Sequence, residues 1–177
     1  LGAMDLLKKE NIILDVYSSC DLYGSDFAKR NKKDWEILFD QARALPNVNY
    51  IGNRSNAFIL DKIKNYHMFA YPCIWEETSC ISAIECMSAG LYTITTNYGA
   101  LFETCADFPV YINYDKDVKK LAYKFAYAIK HLMCQLHRDY VQDHLELQQN
   151  YMKRFYSWHN RKTQWTNFLI GAKGVKK

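Results

Sequence analysis

The stretch Phe69–Glu103 reads FAYPCIWEETSCISAIECMSAGLYTITTNYGALFE, and its order decides the fold class. A short β-rich run, His67–Tyr71, is closed by Pro72. The loop Cys73–Ser79 follows and leads into a small-residue, apolar segment from about Cys80 to Ala89, where Gly90 is a natural C-terminal stop for a helix. Leu91–Thr95 is β-branched and predicts a strand, and Ala100–Ala106 predicts a short helix. Strand, loop, helix, glycine, strand is the unit from which a helix-covered parallel sheet is built.

The alternation continues in both directions. Upstream, Asn11–Ser18 predicts a strand and the polar stretch Ser19–Lys32 a loop. Lys33–Leu45 places Trp35, Leu38, Phe39 and Ala42 at helical spacing before Pro46-Asn47 ends it. Val48–Ile51 is a short strand ending at Gly52, and Ser55 caps a helix to about Asn65 with Phe58, Ile59 and Ile63 on one face. Downstream, Val110–Asn113 is the last strand, and helices follow at Asp115–Cys134, His137–Tyr156 and His159–Leu169. The expected fold is α/β: a Rossmann-like, doubly wound parallel sheet with helices on both faces and a helical C-terminal segment. One domain is expected over 5–170, with no repeat or linker inside it. Residues 1–4 read as a cloning remnant and 171–177 as a flexible basic tail.

Composition agrees with a globular chain. Its 177 residues are 49% hydrophobic and 24% charged, with seven glycines and three prolines, which excludes disorder and low complexity. No apolar run reaches the ~18–20 residues of a membrane span, and no charged-then-apolar leader opens the sequence. The net charge of +4 conceals a split: 10 Lys/Arg against 15 Asp/Glu over 1–115, but 13 against 4 over 116–177. The basic end reads either as lysines on solvated helix faces or as a weak contact with an anionic membrane surface. No RNP-like run or zinc-finger spacing supports nucleic acid as a partner. Cys20, Cys73, Cys80, Cys86, Cys105 and Cys134 form no C-x-x-C pair, so metal is not expected. Free thiols in apolar stretches point to a cytoplasmic location.

Ligands of such sheets sit beyond the carboxyl ends of the strands, here at Gly52–Ser55, Cys73–Ser79 and Thr96–Gly99. No glycine-rich dinucleotide or P-loop signature follows any strand. Glu77 and Glu85 stand eight apart across the start of the Cys80–Ala89 helix. The helix N-terminus between them presents unpaired N–H groups and the positive end of its dipole, with Thr78 beside it and Ser79 as the expected N-cap. Carboxylate, anion cradle, carboxylate matches sugar hydroxyls, pyrophosphate and ribose hydroxyls in order. Spacing alone leaves a second reading, in which Glu76 and Glu77 merely complement the helix dipole. Asp115-Lys116-Asp117 has the form of a metal-binding D-x-D, yet it directly precedes a long helix and reads as a cap. Leu121, Tyr123, Phe125, Tyr127, Ala128 and Ile129 read as core and interface. His131, His137 and His144 lie on or between helices without a carboxylate or serine in a recognisable arrangement, and no role is assigned to them.

The block as a whole resembles the retaining glycosyltransferases of the GT-B fold, group 1 or family 4. Glu77 and Glu85 match that family's E-x7-E, Ala89-Gly90 its helix end, and Tyr98-Gly99-Ala100 with Glu103 its following loop. Val48–Asn53 resembles the strand before the base-binding loop, and Phe155-Tyr156-Ser157-Trp158 the opening of the final helix. The resemblance implies a nucleotide diphosphate-sugar donor, UDP- or GDP-linked, with no cofactor and no metal. It implies that Glu77 contacts the donor sugar and Glu85 the ribose. The amides of Thr78, Ser79 and Cys80 would take the diphosphate, and Gly52, Asn53 and Arg54 would line the base pocket. Glu77-Thr78-Ser79-Cys80 stands where family members often have E-G-F-G, so the donor sugar does not carry over. The family's first strand with its Arg and Lys, and the domain that binds a glycan, lipid or protein acceptor, have no counterpart here. The expectation is a donor-binding domain of a glycan-building enzyme, inactive by itself. The alternatives are a non-catalytic nucleotide-sugar-binding or regulatory module, or a basic domain for a membrane surface or nucleic acid.

Overall fold

The computed structural model describes residues 1–20 and 24–174. The chain divides into two compact units, Leu1–Ile63 with Ile112–Cys134, and Lys64–Tyr111 with Gln135–Lys177. Each unit is assembled from two separated segments of the chain.

In the first unit, β1 (Leu14–Val16) pairs in parallel with β2 (Val48–Tyr50), Leu14 opposite Val48. Between them runs α2 (Ser25–Ala44), which starts well inside the stretch expected to be a loop. Asp26, Lys29, Arg30 and Lys32–Asp34 of its first turns are exposed and charged, so they offer no apolar periodicity to read. Residues 21–23 of that expected loop lie outside the described residues. Phe39 and Ala42 are buried as expected, whereas Leu38 is 50% exposed. Ser55 caps α3 (Asn56–Lys62), its Oγ accepting from the Phe58 amide. The chain then passes through a single 3-10 turn, Ile63–Asn65.

The rest of this unit is a helix pair. Asp117 caps α6 (Val118–Met133), accepting from the amides of Lys119 and Lys120. Leu121, Phe125, Ala128, Ile129 and Leu132 form its buried stripe, while Tyr123 and Tyr127 point to solvent. Residues 1–4, set aside in the sequence reading, belong to the fold: α1 (Gly2–Leu6) packs on α6 and buries Met4. The Asn47 side-chain amide donates to the Met4 carbonyl at 2.9 Å, fastening α1 to the turn before β2.

The second unit is built on a ladder in the order β3 (Met68–Tyr71), β4 (Tyr92–Thr96), β5 (Val110–Ile112), with β3 and β4 parallel. Between β3 and β4 lies α4 (Ile81–Ser88), and between β4 and β5 lies α5 (Leu101–Cys105). Its core is Cys73, Cys80, Ala83, Met87, Leu101, Cys105 and Met152, the last from α7 (Asp139–Tyr156). Gly90 ends α4 at φ +88, with its N–H donating to Met87 O (3.1 Å) and Leu91 N–H to Cys86 O (3.0 Å). That is a complete Schellman closure. From α7, buried Gln148 donates its side-chain amide to Met87 O and Leu91 O, both at 3.0 Å, so the C-terminal end of α4 is pinned. α8 (Trp158–Gly174) opens one residue before the expected His159 and continues past the expected Leu169 through 171–174. Residues 175–177 lie outside the described residues.

Candidate functional site

The loop between β3 and α4 is held by backbone and hydroxyl bonds along its length. Thr95, opposite Tyr71 in the parallel register, donates its hydroxyl to Tyr71 O at 3.1 Å. Buried Thr96 does the same to Cys73 O at 2.6 Å. The Cys73 amide donates to Tyr71 O (2.8 Å), and the Glu77 amide to Trp75 O (2.9 Å). The Cys73 thiol lies 3.2 Å from Trp75 O and accepts from the Trp75 amide at 3.4 Å. Hydroxyls at the strand end thus satisfy carbonyls that a turning chain would otherwise leave unpaired.

A second loop, between β4 and α5, locks the first. The Ala100 amide donates to Glu77 O at 2.7 Å, and the Tyr98 hydroxyl to Glu76 Oε1 at 3.3 Å. Gly99 sits at φ +61, and a Cβ there would stand 2.5 Å from Glu77 N and 2.7 Å from Glu77 O. Both atoms are backbone and cannot swing aside, so the approach of the two loops requires glycine.

The Glu77 side chain is half-buried, and its Oε1 accepts from the Tyr71 phenol at 2.5 Å. Burial, then the bond to Glu77, raises the Tyr71 pKa far above its ordinary value, so the phenol keeps its proton. Burial also pushes the Cys86 and Cys105 thiols up to about 12. Cys80 is raised in the same direction, first by burial and then by the Glu77 charge. These thiols stay protonated near neutral pH and are not nucleophiles.

The N-cap of α4 is Cys80, with no side-chain capping bond, and Ser79 lies one residue before it. The expected Ser79 cap is corrected on this point: Cys80 is drawn into the core and becomes the boundary residue, leaving Thr78 and Ser79 exposed. The first-turn amides of α4 have no intrahelical partner and lie just beyond the Glu77 loop. Glu85 is the fifth residue of α4, about 6 Å along the axis from Ile81, and is half-buried. The structure therefore brings Glu77, Thr78, Ser79, Cys80 and Glu85 onto one loop–helix junction.

Gly52, Asn53 and Arg54 belong to the other unit, at the carboxyl end of β2. Gly52 has φ +78, and its amide donates to Val16 O at 3.3 Å beside that of Ile51 at 3.0 Å. Asn53 and Arg54 are exposed; the Arg54 guanidinium donates to Asn53 O at 2.7 Å and lies 5.9 Å from the Phe58 ring.

Asp115 and Asp117 act as turn and cap, Asp115 accepting from the Asp117 amide at 3.0 Å and from Lys124 Nζ at 3.1 Å. Among the described residues no three His, Cys, Asp or Glu side chains cluster as a metal site. Sequence reasoning missed Tyr71. Its only signal was its place as the last residue of a strand leading into the Glu77 loop.

A family model described as Glycosyl transferases group 1 matches residues 1–142. No curated protein matches the sequence. Among solved structures, a glycosyltransferase from Rickettsia africae superposes with TM-score 0.76 at 16% identity, covering 99% of this chain and 44% of that one. HepE of Anabaena, solved in complex with UDP-glucose, gives TM-score 0.69 at 12% identity, covering 96% of this chain and 44% of that one. The chain therefore spans under half the length of either solved protein. These likenesses establish a Rossmann-like arrangement of parallel strands flanked by helices with a helical C-terminal extension, one half of a GT-B fold. Sequence match and fold agree: the chain belongs to the glycosyl transferases group 1 family.

Proposed function

We propose that this domain binds a nucleoside diphosphate-sugar and forms the donor half of a retaining glycosyltransferase that works without a metal ion. The observation that carries the reading is the Glu77 carboxylate, fixed at the end of its loop beside the N-terminus of α4, with Glu85 about one turn farther on. Glu77 accepts hydrogen bonds from the donor sugar and orients it. As the bond from the anomeric carbon to the diphosphate oxygen breaks, negative charge gathers on the leaving phosphate. The amides of Thr78, Ser79 and Cys80 and the dipole of α4 meet that charge without reorganising. Glu85 accepts from the ribose hydroxyls. The family match and the UDP-glucose complex of HepE support this reading.

Calorimetric titration with UDP-glucose and GDP-mannose tests it. One of the two is expected to bind, and Glu85→Ala to weaken binding at least about tenfold, the scale of hydrogen bonds to a charged group. EDTA should leave the affinity unchanged. Binding that survives Glu85→Ala, or that EDTA abolishes, would overturn the assignment.

Three finer elements belong to the same proposal. The glycan, lipid or protein acceptor binds outside this chain, which spans 44% of the matched solved proteins, so the chain alone binds donor without transferring it. Robust transfer by the isolated chain would refute this. A weak contact with an anionic membrane surface is supported by α8, which exposes Trp158, Trp165, Phe168 and Leu169 beside Arg161, Lys162 and Lys173. Sedimentation with anionic vesicles that salt does not weaken would count against it. A reducing, cytoplasmic setting is supported by the buried thiols of Cys73, Cys80, Cys86 and Cys105, which form no disulfide.

A further inference from the structure

We infer that Tyr71 is a positioning residue for the donor sugar: its phenol fixes the Glu77 carboxylate in the one orientation from which it receives a sugar hydroxyl. The inference rests on the proposed donor-binding reading and adds a residue to it.

Three observations place Tyr71 in this role. Its ring is held in place: it stacks on Phe69 at 5.5 Å between centroids and packs against the core cluster of this unit, to which Cys73 and Cys80 belong. Its backbone is held too, since Tyr71 is paired with Thr95 across the ladder and its carbonyl accepts from the Thr95 hydroxyl and the Cys73 amide. From that fixed base the hydroxyl reaches Glu77 Oε1 at 2.5 Å. A carboxylate on an otherwise exposed loop would sample several rotamers, and selecting one on binding costs affinity. A rigid donor removes that freedom beforehand. An ionised carboxylate offers about four lone-pair sites, so accepting one bond from Tyr71 leaves capacity for a sugar hydroxyl.

Tyr71→Phe deletes the donor and keeps the ring. The probes are a nucleoside diphosphate and its sugar conjugate, UDP with UDP-glucose or GDP with GDP-mannose, according to which pair the unmodified chain binds. Affinity for the conjugate is expected to fall about tenfold, the scale of a lost hydrogen bond to a charged group, and affinity for the free diphosphate by less than about twofold. In a Glu77→Gln background the same substitution should add little, because the partner is already altered. That split is the readout that a merely structural role would not give.

An equal loss for both ligands would make Tyr71 a packing residue and overturn the inference. So would unchanged affinity for both, or a full additional loss in the Glu77→Gln background. If the unmodified chain bound neither pair, the donor-binding reading would itself fall, and the inference with it. That outcome is read before any variant is made.

Discussion

Two strand-end loops, one in each compact unit, are built on opposite plans. The Cys73–Cys80 loop is tied across the sheet: hydroxyls of Thr95 and Thr96 bind its carbonyls, and Ala100 and Gly99 close on the backbone of Glu77. Among the described residues, the Gly52–Arg54 loop is tied at its root, to Val16 O, and the Arg54 guanidinium bonds locally to Asn53 O. Gly99, in the segment that closes on the first loop, and Gly52, in the second, both have positive φ, yet for different reasons. A Cβ at Gly99 would clash with Glu77 N at 2.5 Å, whereas one at Gly52 would meet nothing closer than Tyr50 Cε1 at 3.9 Å. One glycine answers a steric demand from a neighbouring segment, the other only the dihedral preference of its own residue. In the proposed function, the loop that carries Glu77 and meets the breaking bond is preorganised.

This contrast can be broken by substitution. Gly99→Ala should cost the most, about 3 kcal/mol, because strain and a backbone clash act together, and it should displace Glu77 as well. Urea unfolding and donor titration on the variant measure both effects. A loss as small as that of Gly52→Ala would erase the distinction between the loops. Thr96→Val comes next: it leaves Cys73 O without its partner in a buried place and should cost about 2 kcal/mol in the same unfolding experiment. Gly52→Ala should cost only about 1 kcal/mol, since dihedral strain acts there without a clash. Ser55→Ala, which removes the cap of the following helix, should cost a similar amount, about 1 kcal/mol. Both sit in the loop with few ties, and thermal melts of the two would test whether that region stays cheap to perturb.

The smallest effect lies away from both loops and serves as a control. The Asp117 amide, and then Lys124, hold the Asp115 carboxyl below its ordinary pKa. A carboxyl depressed in the folded state stabilises fully above its unfolded pKa and loses that contribution as pH falls through the folded value. Asp115→Asn should therefore slightly flatten the acid limb of the stability curve and leave its neutral region unchanged. A larger change near neutrality would mean that the turn has a role beyond its local bonds.

Much of this was readable from residue order. Ser55 and Asp117 announced their helices because an N-cap acts through its own side chain on amides two or three residues away. Gly90 announced a stop for an equally local reason. The Glu77–Glu85 spacing placed the second glutamate at the fifth position of its helix, as found. What failed to show depends on partners distant in space. Ser79 had the better capping side chain, but burial of Cys80 moved the helix boundary one residue on. The charged start of α2 offered no apolar rhythm. The Tyr71–Glu77 bond closes over a loop whose path no local preference encodes. The division into two units is invisible to a reader who moves along the chain in one direction.

One consequence follows from the far end of α4. Its last carbonyls are gripped by Gln148 and sealed by the turn at Gly90, so the helix behaves as a strut anchored in α7. A ligand drawn to the front of a strut cannot pull it forward. Occupancy should therefore leave atomic positions along α4 almost unchanged and be felt as a quieting of motion. Slower amide exchange at Ile84–Ser88 would report a bound anion before any displacement did.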